Sequence, residues 1–174
     1  MIVDGAWGAN RVMTAIARKF LRPGEFYTGR EPVIAETLVG SCVAVCLYNF
    51  KQCFGAMNHF LRAQPQDPAD SKVGQYGITS TQHIIDAVMR IDPDPTHYRA
   101  SVFGGAAVIK AANADGHIGS ANVNAALQVL RSSHIRVAVQ EVGGTRGRRI
   151  RFNTQAGEIE CRFAGDIPRK GAPR

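Results

Sequence analysis

The chain has 174 residues, 45% of them hydrophobic and 20% charged, which suits one folded domain with a proper core and argues against disorder. Its longest apolar stretch, residues 38–50, is too short to cross a bilayer and contains Ser41 and Asn49. The N-terminus lacks the basic, apolar, small-residue order of a secretory leader, so a cytoplasmic location is expected, and the net charge of +7 favours acidic partners on approach.

In chain order, residues 10–21 place Val12, Met13, Ile16, Ala17 and Phe20 at helical spacing, with Arg11, Arg18 and Lys19 on the other face. This predicts a helix stopped by Pro23-Gly24. EFYTG predicts a short strand, and TLVGSCVAVCLYN (residues 37–49) carries a buried one. CFGAMNHFL (residues 53–61) follows as a second apolar strand, close enough to pair with it as a hairpin through Phe50-Lys51-Gln52. A polar, proline-containing segment, RAQPQDPADSKVGQYG, reads as a long surface loop.

TSTQHIIDAVMRI predicts an amphipathic helix capped by Thr79, Ser80 or Thr81, with Ile84, Ile85, Val88 and Met89 facing inward. RASVFGGAAV predicts a strand running into a Gly104-Gly105 turn. SANVNAALQVLRSS predicts a second helix, capped by Ser120 and burying Val123, Ala126, Leu127 and Leu130. IRVAVQEV and RIRFNTQAGEIECRF supply three more strands, the last two joined at Gln155-Ala156-Gly157, and the tail GDIPRKGAPR has no core-forming pattern. Abutting strands interrupted by two helices give an α+β layered domain, without internal repeats or a linker.

Four cysteines in a reducing compartment read as thiols. Cys42, Cys46, Cys53 and Cys161 form no C-x-x-C, and no histidine pair stands at zinc spacing, so no metal and no cofactor is expected. FGGAAV and VGGTRGRR lack the spacing of phosphate loops. NADG lacks the remaining ligands of a calcium loop. The basic cluster Arg146, Arg148, Arg149 and Arg151 has only Phe152 as an aromatic companion, which favours a solvated surface over a nucleic-acid patch.

Thiol hydrolysis of an amide or ester needs an activated nucleophile, a base within reach and donors for the oxyanion. Cys42 follows Gly40-Ser41, where a tight turn can present a thiol and converging amides, whereas Cys46, Cys53 and Cys161 stand within apolar strands. A hairpin centred on residues 50–52 places His59 across from Cys42 at its open end. The alternative is that Cys42 only fills the core. His83 and His134 read as surface histidines, and His97 and His117 lie in turns.

TLVGSCVAVCLYN, GAMNHFL, FGGA, IGSANV and GGTRGRRIRFNTQAGE, in this order and spacing, resemble the bacterial CheD proteins, the chemoreceptor glutamine deamidases. The resemblance runs over residues 20–163. It implies an α/β sandwich, two β layers with helices packed outside, related to the deamidating cytotoxic necrotizing factor toxins. It further implies a cysteine hydrolase, a protein-glutamine glutaminase that converts particular glutamines of methyl-accepting chemotaxis receptors to glutamate. The family's nucleophile falls on Cys42, its histidine on His59 and its threonine on Thr37, one residue closer to the cysteine than in some members. Ser41 and Gly40 would support the turn and the oxyanion. Some members also bind and stimulate the CheC phosphatase, so an adaptor role is the alternative. This organisation gives a helical extension over residues 1–19, a deamidase domain over 20–164 and a disordered tail over 165–174, with no membrane insertion. The sequence departs from the family pattern at Arg62-Ala63, commonly Leu-Pro, at Ala121, where arginine is expected, and at Glu141, where aspartate is expected.

Overall fold

A computed structural model describes residues 15–108 and 115–166, with side chains in the second segment from residue 117. Two sheets and two helices stack in three layers. The first sheet has the order β1-β3-β8-β9, built from β1 (Ala17–Phe20), β3 (Val33–Val39), β8 (Arg148–Asn153) and β9 (Ile159–Phe163). The second has the order β2-β5-β4-β6-β7, built from β2 (Phe26–Gly29), β5 (Phe54–Phe60), β4 (Val43–Asn49), β6 (Tyr98–Gly104) and β7 (Arg136–Val142). Both helices, α1 (Gly77–Met89) and α2 (Asp115–Ser132), pack on the second sheet. This is the expected α+β sandwich with helices outside.

Alternation along β4, β5 and β6 sorts the core into two clusters. Val43, Val45, Leu47, Phe54, Ala56, Phe60, Ala100 and Val102 meet Ile84, Ile85, Val88, Ala126 and Leu130 of the helices. Ala44, Cys46, Met57 and Phe103 instead meet Ala35, Val39, Ile150 and Phe152 of the first sheet. Every residue of β4 except Tyr48 is buried, as two covered faces require.

The helix expected over residues 10–21 is overturned where the structure describes it. Ala17–Phe20 is an edge strand parallel to β3, exposed at all four positions, so it carries no burial alternation that a sequence could reveal; the rest of that prediction, to residue 14, lies outside the described residues. The expected disorder of the tail also falls outside them beyond residue 166. The run over residues 37–49 is not one strand. It breaks at residues 40–42, where the chain crosses from β3 in the first sheet to β4 in the second.

The helix caps also differ. The N-cap of α1 is Tyr76, without a side-chain bond. Ser80 and Thr81 are buried and accept from the Asn58 amide at 3.1 and 3.3 Å, tying α1 to β5. Ser120 lies inside α2, which begins at Asp115.

Candidate active site

Three segments converge where the inter-sheet core meets the turn at residues 40–42. Thr37 lies on the inner face of β3, opposite Ile150 of β8, and is fully buried. His59 lies on β5, paired with Ala44 on the face turned to the first sheet, and is 2% exposed. Between the sheets, Thr37 Oγ1 and His59 Nδ1 stand 2.8 Å apart.

The hydrogen-bond network assigns the protons of this pair. Thr37 Oγ1 donates its hydrogen to the Leu21 carbonyl at 2.7 Å, so towards His59 it can only accept. His59 therefore carries its proton on Nδ1, which also lies 3.4 Å from the same carbonyl. That leaves the lone pair on Nε2, which is buried and without a partner among the described residues. Burial holds the His59 pKa below the usual imidazole value, with the Leu21 carbonyl and Glu25 opposing it in part. Thr37 thus fixes a neutral imidazole with a free Nε2, the state of a general base.

Cys42 is half-buried at the corner of the turn and packs against the inter-sheet core. Burial pushes its thiol above the ordinary range, while its own backbone N–H pulls the other way. The expected pairing is corrected by two residues. The ladder pairs Val43 with Phe60 and Ala44 with His59, so Cys42 lies beyond its end, diagonal to His59 rather than across from it. The cause is the hairpin loop, which includes Cys53. This residue takes a left-handed φ of 54°, is exposed, and donates its N–H to the Asn49 carbonyl at 2.9 Å, so it is a turn residue and not part of the strand. Among the described residues no hydrogen bond joins Cys42 to His59.

The turn is anchored through all three of its carbonyls. Ala106 N–H donates to Gly40 O at 2.8 Å and Gly105 N–H to Cys42 O at 2.9 Å. Asn122 Nδ2 donates to Ser41 O at 2.9 Å. The approach of β6 is close enough that a Cβ on Gly104 would lie 2.2 Å from the Cys42 carbonyl oxygen. Cys46 is buried in the inter-sheet core, its thiol pushed far above the ordinary range, and Cys161 is half-buried in β9, pushed up to about 12 by burial and Glu141.

Sequence reasoning does not single out Leu21 or Asn122. Asn122 leaves one signal, since it stands four residues before Ala126 and eight before Leu130 on the buried stripe of α2, a polar residue on an apolar line. No group of three or more metal-ligating side chains converges among the described residues. An open depression of about 290 Å³, lined by Gly105, Ala107, Ser120, Val123, Asn124 and Gly143, begins at the residue that holds the Cys42 carbonyl. A larger one of about 440 Å³ lies on the outer face of the first sheet, among Glu36, Arg149, Arg151, Glu160 and Arg162. The basic cluster is split by strand alternation. Arg149 and Arg151 face outward, Arg148 is buried with Nη1 on Gly143 O at 2.8 Å, and Arg146 pairs with Asp166 at 2.5 Å.

Residues 61–163 match the family model described as CheD chemotactic sensory transduction. This chain belongs to the CheD family. It is 36% identical over 141 residues to the probable chemoreceptor glutamine deamidase CheD 1 of Anaeromyxobacter dehalogenans, covering 81% of each chain. It is 32% identical over 151 residues to the probable chemoreceptor glutamine deamidase CheD of Rhodospirillum rubrum, covering 87% of this chain and 85% of that one. Over 140 residues it is 34% identical to CheD 2 of Geobacter sulfurreducens, bearing the same description, covering 80% of this chain and 86% of that one. The family-model match begins two residues after His59, so the arrangement of Thr37, Cys42 and His59 rests on the geometry. No helix among the described residues is long and apolar enough to cross a membrane.

Proposed function

We propose that this chain hydrolyses the side-chain carboxamide of specific glutamines on methyl-accepting chemotaxis receptors, giving glutamate and ammonia, with Cys42 as nucleophile, His59 as base and Thr37 orienting His59. The observation that carries this reading is the Thr37–His59 hydrogen bond, which leaves His59 Nε2 with a free lone pair on the strand diagonal to Cys42. The substrate class comes from the relatives' names and the family.

His59 Nε2 takes the Cys42 proton as sulfur attacks the carboxamide carbon. Burial disfavours both thiolate and imidazolium, so the pair rests as thiol and neutral imidazole. The carbonyl oxygen becomes an oxyanion stabilised by the amides of residues 41 and 42, in peptides whose carbonyls, of Gly40 and Ser41, are held by Ala106 N–H and Asn122 Nδ2. Donors so placed contribute on the order of a hundredfold each. Collapse breaks the C–N bond, and the imidazolium gives its proton to the departing ammonia. A thioester on Cys42 remains. Water, deprotonated by His59, adds to it, and the C–S bond breaks to return the thiol and release glutamate.

Site-resolved mass spectrometry of a chemoreceptor cytoplasmic fragment, incubated with the wild type or with Cys42→Ala, tests the proposal. Glutamine-to-glutamate conversion by the wild type alone is expected. A folded wild type that binds the receptor or a CheC-type phosphatase without converting any glutamine would make this chain an adaptor instead.

A further inference from the structure

Beyond the last β4–β5 pair, Val43 with Phe60, the strands separate, because residues 40–42 cross towards the first sheet. One side chain spans the gap. Asn122 Nδ2 donates to Ser41 O at 2.9 Å and to Leu61 O at 2.7 Å. Asn122 has no exposed surface, and its Oδ1 is buried without a partner among the described residues. A buried acceptor left unpaired is costly, so what the site retains here is the pair of donor hydrogens.

The two carbonyls flank the reacting groups. Ser41 precedes Cys42, and Leu61 follows His59 by two residues, just past the end of β5. The remaining turn carbonyls are held by backbone groups of the segment after β6, so Asn122 is the side-chain anchor of the turn and spans from the thiol's segment to the imidazole's. We propose that Asn122 is a positioning residue of the Cys42 centre, a clamp on α2 that fixes the Ser41–Cys42 peptide relative to β5 and thereby sets the approach of the thiol to His59. This rests on the reading of Cys42 as nucleophile.

Full-chain Asn122→Ala, with folding checked by circular dichroism and a melting temperature above the assay temperature, tests it in two ways. On the receptor fragment, kcat should fall about 10- to 100-fold with KM little changed, since a displacement of about 1 Å is enough for a loss of that size. Without any substrate, peptide-mapped alkylation by iodoacetamide should show the pH midpoint of Cys42 moving down, because the loosened turn admits water to a thiol that burial holds high. Alkylation of the exposed Cys53 in the same sample should not move. A folded variant with the wild-type kcat and the wild-type Cys42 midpoint overturns the proposal. If Asn122→Ala does not fold, Asn122→Ser, whose hydroxyl can reach one carbonyl at most, should show smaller changes in the same directions. If neither folds, Asn122 is a packing residue of the helix–sheet contact and the proposal is wrong. Should the wild type convert no glutamine, the deamidase reading fails, yet the alkylation arm still decides the clamp.

Discussion

Thr37 accepts from His59 Nδ1–H because its own hydrogen is committed to the Leu21 carbonyl. Thr37→Val keeps the shape and removes both bonds. His59 can still reach Leu21 O, 3.4 Å away, so the variant loses orientation more than tautomer. Turnover should drop by about tenfold or more, and urea unfolding should show a loss of about 1–3 kcal/mol for the polar atoms left unpaired. The depressed pKa of His59 gives a pH signature with a definite sign. In the proposed role of base His59 must be neutral, so the acid limb of kcat/KM should lie below the ordinary value of about 6.5. An acid limb above that value would contradict a buried, neutral His59 as the base. In unfolding, the unfolded chain takes the proton first, so this contribution to stability is complete above about pH 6.5 and is lost as the pH falls through the folded value. The acid-induced drop in the urea midpoint should therefore shrink in His59→Gln.

Among the elements, those with strong patterns could be read from the sequence: β4, β5 and β6 as apolar strands, and α1 and α2 from their stripes. The site's alignment could not. The single apolar run over residues 37–49 serves two sheets; its Gly40-Ser41 turn is legible in the sequence, but the passage there from one sheet to the other is not. The hairpin register depended on Cys53 adopting a left-handed conformation, which neither its hydrophobicity nor its neighbours announce. Gly104 offers a test of this close approach. Its φ is 108°, and a Cβ there would sit only 2.2 Å from Cys42 O, which leaves no room for a side chain. Gly104→Ala should cost about 1–3 kcal/mol in urea unfolding and, with Cys42 as the proposed nucleophile, reduce turnover beyond the loss of folded protein, because the displaced atom is the Cys42 carbonyl oxygen.

For the molecule as a whole, the candidate site draws on all three layers: Thr37 from the first sheet, His59 from the second, Asn122 from the helices, and Cys42 from the crossing between the sheets. Such a site depends on long-range contacts, so a local reading could name Cys42 and His59 but had no access to the carbonyl of Leu21 or the amide of Asn122 that hold them. Trapping the covalent intermediate is the most direct test of the central claim. The wild type turning over a glutamine-bearing receptor segment would be quenched in acid, digested and analysed by tandem mass spectrometry. An adduct on Cys42 equal to the substrate less ammonia is expected, absent from Cys42→Ala, which should release no ammonia. Conversion by Cys42→Ala at the wild-type rate, or an adduct carried by another residue, would contradict it.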